Sequence, residues 1–293
     1  MSYSDLEYEI FSRQFILQNF NEKNIQKLNK AKITIVGLGG IGCPLTQYLV
    51  SSGIKNLTFF DGDFIEKSNL ARQILYSLED VGKFKTLVAK EKLLKTNPNC
   101  NITVHSQHLI KDNLNLLLDS DIVIDATDDW HTSKLINKFC LQNSLKYIFS
   151  SAINYNIQIC LFDNKKNHVC LNCLFPNKED ADLPRCETVG ISSICAGIAG
   201  LITAQRTINT LLNTKDETNI LTLIDTSDLN ISNTDSSILF MMNDSGDTIF
   251  QPILLGNVVW SSDIAVNLIG SPKIISLKGD NFTGRLEYQI LKK

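Results

Sequence analysis

Residues 32–63, KITIVGLGGIGCPLTQYLVSSGIKNLTFFDGD, decide the fold of this chain. They begin with a short apolar, β-branched run, Ile33 to Val36, and a second apolar run, Leu57 to Phe60, ends at Asp61. Between the two runs lies a glycine-rich turn, followed by apolar residues at helical spacing. The order of strand, glycine turn, helix, strand and acid predicts a nucleotide phosphate site.

The glycine-rich turn spans residues 37–42, GLGGIG. Gly37 permits a tight turn, Gly39 lets the backbone approach a phosphate, and Gly42 lets the helix pack close to the strand. The helix that follows presents free N–H groups and the positive end of its dipole to the anion. Asp61 lies where an acid binds ribose hydroxyls in such folds. A glycine turn without a ligand is the alternative interpretation.

The composition is that of a globular protein with one large domain or two small ones. The chain has 293 residues, a hydrophobic share of 43% and a net charge of −3, which implies no general affinity for polyanions. Apolar runs stay shorter than a membrane span, and the first residues, MSYSDLEYEIF, are acidic, unlike a signal peptide. We therefore expect a cytoplasmic protein that has no membrane partner and no nucleic-acid partner.

Apolar runs and helical patterns alternate through residue 150, which predicts an α/β fold: a Rossmann-like, mostly parallel sheet with helices on both faces. From residue 156 the pattern predicts an antiparallel, substrate-facing part, in which residues from Val169 pair back on the strand over 157–162. The Ser/Thr/Asn/Asp-rich residues 226–236 predict a linker. The predicted domains are an N-terminal helical arm over 1–31 with a helix over 4–20, a nucleotide-binding domain over 32–225, and a small β-rich C-terminal appendage over 237–293.

Charged residues expected at the carboxyl ends of the strands suggest a triphosphate ligand with Mg²⁺. Arg72 and Lys85 add two cations to the glycine turn, and Asp128 adds a carboxylate at a strand end. Each residue also has an ordinary interpretation: a surface ion pair for Arg72, a solvated helix face for Lys85, and a helix N-cap for Asp128.

Seven motifs occur in a fixed order between about Phe11 and Asp225. They are Ser12-Arg13-Gln14, Val36 to Gly42, Asp61-Gly62-Asp63, Ser68-Asn69-Leu70-Ala71-Arg72-Gln73, Val81 to Lys85, Asn97-Pro98, and Asp125-Ala126-Thr127-Asp128-Asp129. In these motifs the chain resembles the ThiF/MoeB/HesA adenylyltransferases, which are relatives of the ubiquitin-activating enzymes. A dehydrogenase would account for the glycines but not for the loop that contains Arg72.

The resemblance implies an ATP-dependent adenylyltransferase. Such an enzyme activates the C-terminal carboxylate of a ubiquitin-like sulfur carrier of the ThiS/MoaD type as an acyl-adenylate and releases pyrophosphate. The implied cofactors are ATP and Mg²⁺, and the implied assembly is a homodimer. The nucleotide-binding residues implied are Gly37, Gly39, Gly40, Gly42, Asp61, Asp63, Ser68, Asn69, Leu70, Arg72, Gln73, Lys85, Asp128 and Asp129.

Individual roles also follow from the resemblance. Asp61 holds the ribose, the set of Asn69, Arg72 and Lys85 binds the triphosphate, and Asp128 holds Mg²⁺. No general base is required, because a carboxylate is already ionised at neutral pH. The candidate catalytic residues are Arg13, Arg72, Lys85, Asp128 and Cys186.

Arg13 resembles an arginine finger that reaches ATP bound by the other subunit, and this role implies the homodimer. Two positions depart from the family pattern. Asp129 stands where the family usually has Asn, and Ile10 replaces the first arginine of the N-terminal motif.

The cysteines depart further. Cys170-Leu171-Asn172-Cys173 matches the first of two zinc-binding pairs in many relatives, but no cysteine follows Cys195. A tetrahedral zinc site needs four ligands, so we expect a pair packed as apolar residues instead of structural zinc. Cys186 lies where sulfur-transferring relatives have a cysteine that bonds to the carrier, and the sequence leaves open whether it is catalytic.

Other functions remain open from the sequence. The nearest is adenylation of a ribosomal peptide in microcin- or pantocin-type antibiotic biosynthesis, and another is cyclisation of a modified tRNA adenosine. From different classes, an NAD-dependent oxidoreductase would need only the glycine turn, and a silent scaffold would need none of the charged residues.

Overall fold

The computed structural model of the protein describes residues 5–163, 169–175, 190–215, 218–228, 230–235, 240–242, 248–250, 275–279 and 286–290. The main sheet has eight strands in the order β3-β2-β1-β4-β5-β6-β7-β8. Their bounds are β1 Lys32–Val36, β2 Asn56–Phe60, β3 Asn101–His105, β4 Ile122–Asp125, β5 Lys146–Ile153, β6 Asn156–Asp163, β7 Ile220–Asp225 and β8 Asn230–Asp235.

Neighbouring strands pair parallel through the first part of the sheet, which is β3, β2, β1, β4 and β5. Strands β6, β7 and β8 continue the sheet with antiparallel pairing. Val36 pairs with Phe60 on one side and with Asp125 on the other. The carboxyl ends of β1, β2 and β4 are therefore level, which brings the segments that follow them together at one edge. The predicted mostly parallel sheet with an antiparallel extension is confirmed.

Helices cover both faces of the sheet, as predicted. They are α1 Asp5–Phe11, α2 Glu22–Lys30, α3 Gly42–Ser51, α4 Lys85–Thr96, α5 Trp130–Gln142, α6 Leu171–Leu174 and α7 Ser193–Leu212. One buried apolar cluster joins α2, α3, α4 and α7 to the sheet, and a second joins α5 and α6 to the opposite face. Ile122 and Ile124 belong to the first cluster and Val123 to the second, because side chains alternate along a strand.

Three local expectations were wrong. The helix predicted over 4–20 ends at Phe11, where the Ser12 hydroxyl donates a hydrogen bond to the Glu9 carbonyl (2.9 Å) and competes with continued helix. Residues after Val169 form the short helix α6 instead of a strand. The linker predicted over 226–236 contains β8, which pairs with β7 as a polar edge strand.

By its internal contacts the chain divides into two compact units, residues 1–252 and 253–293. In the first unit, the short strands β9 (Phe240–Met242) and β10 (Thr248–Phe250) pair antiparallel. In the second, β11 (Ile275–Gly279) pairs antiparallel with β12 (Leu286–Ile290). Among the described residues, no helix has the length and hydropathy needed to cross a bilayer.

Candidate active site

The glycine turn between β1 and α3 depends on two residues without a side chain. Gly37 has a φ of 93°, and a Cβ atom there would lie 2.6 Å from the carbonyl oxygen of Ala126. A Cβ atom at Gly42 would lie 2.2 Å from the carbonyl oxygen of Gly37. Glycine is needed at both positions because the turn folds on itself and contacts the segment that follows β4.

The same turn presents unused hydrogen-bond donors. Within the described residues, the backbone N–H groups of Gly39, Gly40 and Ile41 donate no hydrogen bond, and Gly39 and Gly40 are partly exposed. These groups stand at the N-terminus of α3, where a helix has unsatisfied donors and a positive dipole end. The turn is therefore suited to bind phosphate oxygens.

Asp61 connects the end of β2 to the glycine turn. Its Oδ2 accepts a hydrogen bond from the N–H of Leu38 (2.7 Å), and its Oδ1 accepts one from the N–H of Asp63 (2.9 Å). Burial raises the pKa of this carboxyl group, whereas the charge of Lys85 acts in the opposite direction. Since each carboxylate oxygen has a further lone pair, Asp61 keeps acceptors for ribose hydroxyls.

Lys85 begins α4 and points its ammonium group at the same edge. Its Nζ lies 2.7 Å from Oδ2 of Asp63, and the Lys85 side chain is only 7% exposed. The buried hydroxyl of Tyr76 donates hydrogen bonds to the carbonyl of Leu38 (2.9 Å) and, more weakly, to that of Lys85 (3.4 Å). Tyr76 thus joins the glycine turn to the start of α4, a role that no sequence motif predicted.

The loop after β2 is fixed by its own polar side chains. Asn69 ends a 3-10 helix, Lys67–Asn69, and its Oδ1 accepts a hydrogen bond from the N–H of Glu66 (3.3 Å). Ser68 donates its hydroxyl to the Glu66 carboxylate (3.2 Å), and Leu70 packs half-buried against the core. Among these three predicted residues, Asn69 and Ser68 therefore shape the loop, and Leu70 attaches it to the core.

Arg72 and Gln73 lie over the glycine turn. The Cγ atom of Arg72 is 3.5 Å from the position of a Cβ atom at Gly40, and its Nη1 donates to the carbonyl of Ser68 (3.1 Å). The Nε2 atom of Gln73 is 3.7 Å from the corresponding position at Gly39. The Oε1 atom of Gln73 is buried and accepts no hydrogen bond from the described residues. This unsatisfied acceptor beside the turn fits a site completed by a ligand.

The segment after β4 separates two neighbouring acids. Asp129 is the N-cap of α5, because its Oδ2 accepts hydrogen bonds from the N–H (2.9 Å) and the hydroxyl (2.5 Å) of Thr132. Burial raises the pKa of Asp129, but these hydrogen bonds outweigh it and the net pKa is lowered. Asp128 is exposed and forms no hydrogen bond or ion pair with the described residues. The capping role considered for Asp128 thus belongs to Asp129.

Asp125, the last residue of β4, is completely buried beneath this segment. Its Oδ1 accepts hydrogen bonds from the N–H (3.0 Å) and hydroxyl (2.7 Å) of Thr127, and its Oδ2 accepts one from the Tyr147 hydroxyl (2.9 Å). Burial raises the pKa of Asp125. The burial of Asp125 could be predicted from the sequence, because this acid directly follows the apolar run Ile122 to Ile124 of a buried strand.

Two predicted catalytic residues are not brought to the glycine turn by any described contact. Arg13 follows α1 and is exposed, while the neighbouring Gln14 donates its amide to the carbonyl of Ser51 (2.7 Å). Cys186 lies outside the described residues.

The Cys170–Cys173 pair is close but supplies only two donors. The two sulfur atoms are 3.6 Å apart, and the hydrogen bond from Cys173 lowers the pKa of Cys170 to about 6 despite its burial. Among the described residues, no group of three or more His, Cys, Asp or Glu side chains is placed to hold a metal. These two thiols alone do not form a tetrahedral zinc site.

The ThiF family model matches residues 11–237. The chain belongs to the ThiF family. Its relatives include the sulfur carrier protein ThiS adenylyltransferase of Escherichia coli, 30% identical over 76% of this chain and 88% of that protein. A sulfur carrier protein adenylyltransferase of Thermus thermophilus is 31% identical over 72% of this chain and 80% of its own length. A probable molybdopterin-synthase adenylyltransferase from Gracilaria tenuistipitata is 31% identical over 72% of this chain. The match covers only 59% of the length of that relative.

Solved structures with a similar fold include those of MccB. The Escherichia coli MccB structure with MccA-N7isoASN is 25% identical, with a TM-score of 0.69 over 80% of this chain and 73% of MccB. MccB with ATP is also 25% identical, with a TM-score of 0.69 over 78% of this chain and 71% of that chain. The family model and the adenylyltransferases of Thermus thermophilus and Escherichia coli confirm the family predicted from the sequence motifs and the expected enzyme class, an adenylyltransferase. The oxidoreductase alternative loses its basis, because a glycine turn alone supported it.

Proposed function

We propose that this ThiF-family protein activates the C-terminal carboxylate of a ubiquitin-like sulfur carrier by ATP-dependent adenylylation. The observation that carries the proposal is the donor-rich glycine turn with Lys85 and Arg72 beside it. A dinucleotide pyrophosphate needs little beyond the turn, whereas a triphosphate needs added positive charge. The carrier as substrate is supported by the named relatives in Thermus and Escherichia coli.

The reaction forms a bond between a carboxylate oxygen of the carrier and the α-phosphorus of ATP. The bond from that phosphorus to the bridging oxygen of the β-phosphate breaks, and pyrophosphate leaves with the electron pair. The backbone N–H groups of Gly39 and Gly40 bind phosphate oxygens, while Lys85 and Arg72 offset the repulsion between the carboxylate and the polyanion. Asp61 holds the ribose and thereby orients the α-phosphorus.

Asp128 is the residue that fits a magnesium ion. Its carboxylate is exposed at the sheet edge next to the glycine turn and is not engaged by the described residues. Magnesium is bound in such sites by one or two carboxylates together with substrate phosphates, so a single acid suffices. When bound, Mg²⁺ would neutralise phosphate charge at the reacting group.

We further propose that the protein acts in the cytoplasm as a homodimer. We also propose that the Cys186 thiolate attacks the carbonyl carbon of the acyl-adenylate and forms a thioester, while the bond from that carbon to the phosphate oxygen breaks and AMP leaves with the electron pair. Four buried cysteines are free thiols, which fits a reducing compartment: Cys43, Cys100, Cys140 and Cys160. The exposed Arg13, which has no partner among the described residues, fits a residue that acts on a second subunit.

A second candidate substrate is a short peptide. It is favoured by the structural similarity to MccB, which extends over 80% of this chain. The MccB structure has been solved with MccA-N7isoASN. Both substrates present a C-terminal carboxylate, so the same phosphate site serves either reaction. The acceptor alone distinguishes them.

The test is ATP–pyrophosphate exchange with the purified protein and three acceptors: a ThiS-type carrier, a molybdopterin-synthase-type carrier and short peptides. We expect exchange with one carrier, and none when its C-terminal carboxylate is amidated. Asp128→Ala is expected to lower exchange by at least about 100-fold, because it removes the acid that positions Mg²⁺ against the phosphates.

The matched control is Asp112→Ala, which removes another exposed carboxylate from the 3-10 helix Lys111–Leu117 and should keep wild-type exchange. Exchange only with a peptide would select the second candidate. Wild-type rates in Asp128→Ala would refute the role of Asp128, and no exchange with any acceptor would refute the proposed reaction.

A further inference from the structure

His108 lies against the backbone that carries the ribose-binding acid. A Cβ atom at Gly62 would be 2.7 Å from Cδ2, 2.8 Å from Nε2 and 2.9 Å from Cε1 of the His108 ring. Three consecutive ring atoms at nearly equal distances show that the imidazole occupies the space of a side chain at position 62. Gly62 therefore makes room for His108 between Asp61 and Asp63.

The backbone of His108 is fixed while its ring remains available. The Asn113 amide donates a hydrogen bond to the carbonyl of His108 (3.0 Å), and its Oδ1 accepts one from the N–H of Ile110 (2.8 Å). The Nε2 atom of His108 lies 3.8 Å from Oδ1 of Asp63, and the side chain is 73% exposed. The ring thus lies beside Gly62 and Asp63 and presents most of its surface to solvent.

The nearby His105 does not offer the same surface. Its ring stacks on the buried Phe60 ring, with the centroids 4.3 Å apart and an interplanar angle of 15°. Of these two histidines at the carboxyl end of β3, His108 is the one with an exposed aromatic face.

The order of the strands indicates what meets this face. In the order β3-β2-β1, the phosphate-binding turn follows β1 and the ribose-binding Asp61 follows β2. A nucleotide that runs from phosphate to ribose across these strand ends continues toward the end of β3 with its base. His108 stands there, beside Gly62.

We propose that His108 binds the purine base of ATP by contact with the face of its imidazole ring. The proposal rests on the proposed function, since it takes the phosphate and ribose positions from it. A flat aromatic ring stacks on a base with a gain that does not depend on hydrogen bonds.

The experiment measures equilibrium binding of ATP and of inorganic tripolyphosphate, both with Mg²⁺, to the full chain. Tripolyphosphate carries the phosphates without ribose or base. His108→Ala is expected to weaken ATP binding by about fivefold to tenfold, the lower range for loss of a base–aromatic stack, and to leave tripolyphosphate binding unchanged. His108→Phe should restore ATP binding, because it keeps a ring but removes both nitrogens.

Lys111→Ala, at an exposed position three residues further along, is the control for general damage to this loop and should bind both ligands as the wild type does. Equal weakening of ATP and tripolyphosphate in His108→Ala would overturn the proposal, because the effect would then act through Asp63 and Lys85 on the phosphates. Unchanged ATP binding would overturn it as well. A wild-type protein that binds neither ligand would instead refute the proposed function on which this inference depends.

Discussion

At the scale of single residues, Asp125 couples the core to the site. It is fully buried, accepts hydrogen bonds from Thr127 and Tyr147, and lies three residues before Asp128. The Thr127 bonds fix the direction in which the segment leaves β4, so Asp125 positions Asp128 without contacting substrate. A buried carboxylate with these partners leaves several donors unsatisfied when it is removed.

The pH dependence of stability tests this environment. Burial raises the pKa of Asp125 in the folded protein, so the folded state retains the proton to higher pH than the unfolded state does. The stabilisation from this group is complete below the ordinary pKa of about 4 and is lost as the pH rises through the raised value. We expect the advantage of the wild type over Asp125→Asn in free energy of unfolding to be largest near pH 4 and to fall toward neutral pH.

Urea unfolding at a series of pH values measures this difference. Asp112→Asn, which changes an exposed acid, should run parallel to the wild type across the series. A constant difference between the wild type and Asp125→Asn would contradict the raised pKa.

At the scale of elements, α7 packs directly on the phosphate-binding turn. A Cβ atom at Gly200 would lie 2.5 Å from the carbonyl oxygen of Ile41 and 2.6 Å from Cγ of Pro44. Further toward the start of the helix, Ala196 lies 3.0 Å from the position of a Cβ atom at Gly40. The small residues of α7 therefore set the position of the turn and its N–H donors.

Alanine substitutions at two glycines of α7 should change the free energy of unfolding in opposite directions. A Cβ atom at Gly197 would meet nothing within 4 Å, so Gly197→Ala should stabilise the protein by about 0.5–1 kcal/mol through helix propensity alone. Gly200→Ala gains the same helix propensity, but its methyl group would push α7 away from the backbone at Ile41. We therefore expect the free energy of unfolding to fall by about 1–3 kcal/mol and ATP to bind more weakly. Thermal and urea unfolding of both variants measure the balance, and equal stabilisation by both would contradict the close contact.

The elements also show what sequence patterns predict and where they fail. Apolar runs and the glycine turn predicted β1, β2 and β4 and the acids at the ends of β2 and β4, because continuous apolar residues are typical of buried parallel strands. The polar sequence Asn230–Asp235 carries no such mark, since β8 is held at the sheet edge by pairing with β7. Tyr76 and His108 were missed for a related reason: their partners Leu38 and Gly62 lie far away in the sequence, and only the folded backbone brings them together.

At the scale of the whole molecule, the catalytic role predicted for Arg13 is not explained by the contacts within a single chain. It is exposed, lies just after α1, and its side chain forms no hydrogen bond or ion pair with the described residues. An arginine that stabilises charge on ATP must reach the phosphates, so in the proposed homodimer Arg13 would act on the nucleotide of its partner. The proposed role of Arg13 therefore requires the proposed homodimer.

Mixed dimers separate these possibilities. Arg13→Ala and Arg72→Ala should each abolish ATP–pyrophosphate exchange as homodimers, because every site then lacks one of the two arginines. When the two variants are coexpressed with different tags, half of the dimers should be mixed, and each mixed dimer has one site with both arginines intact. Exchange should therefore return to about a quarter of the wild-type activity per site under random pairing. Arg13→Ala mixed with wild type controls for tagging, and light scattering confirms the dimers. A mixed dimer without activity would place Arg13 in its own subunit's site or outside catalysis, and full activity of Arg13→Ala alone would remove it from the mechanism.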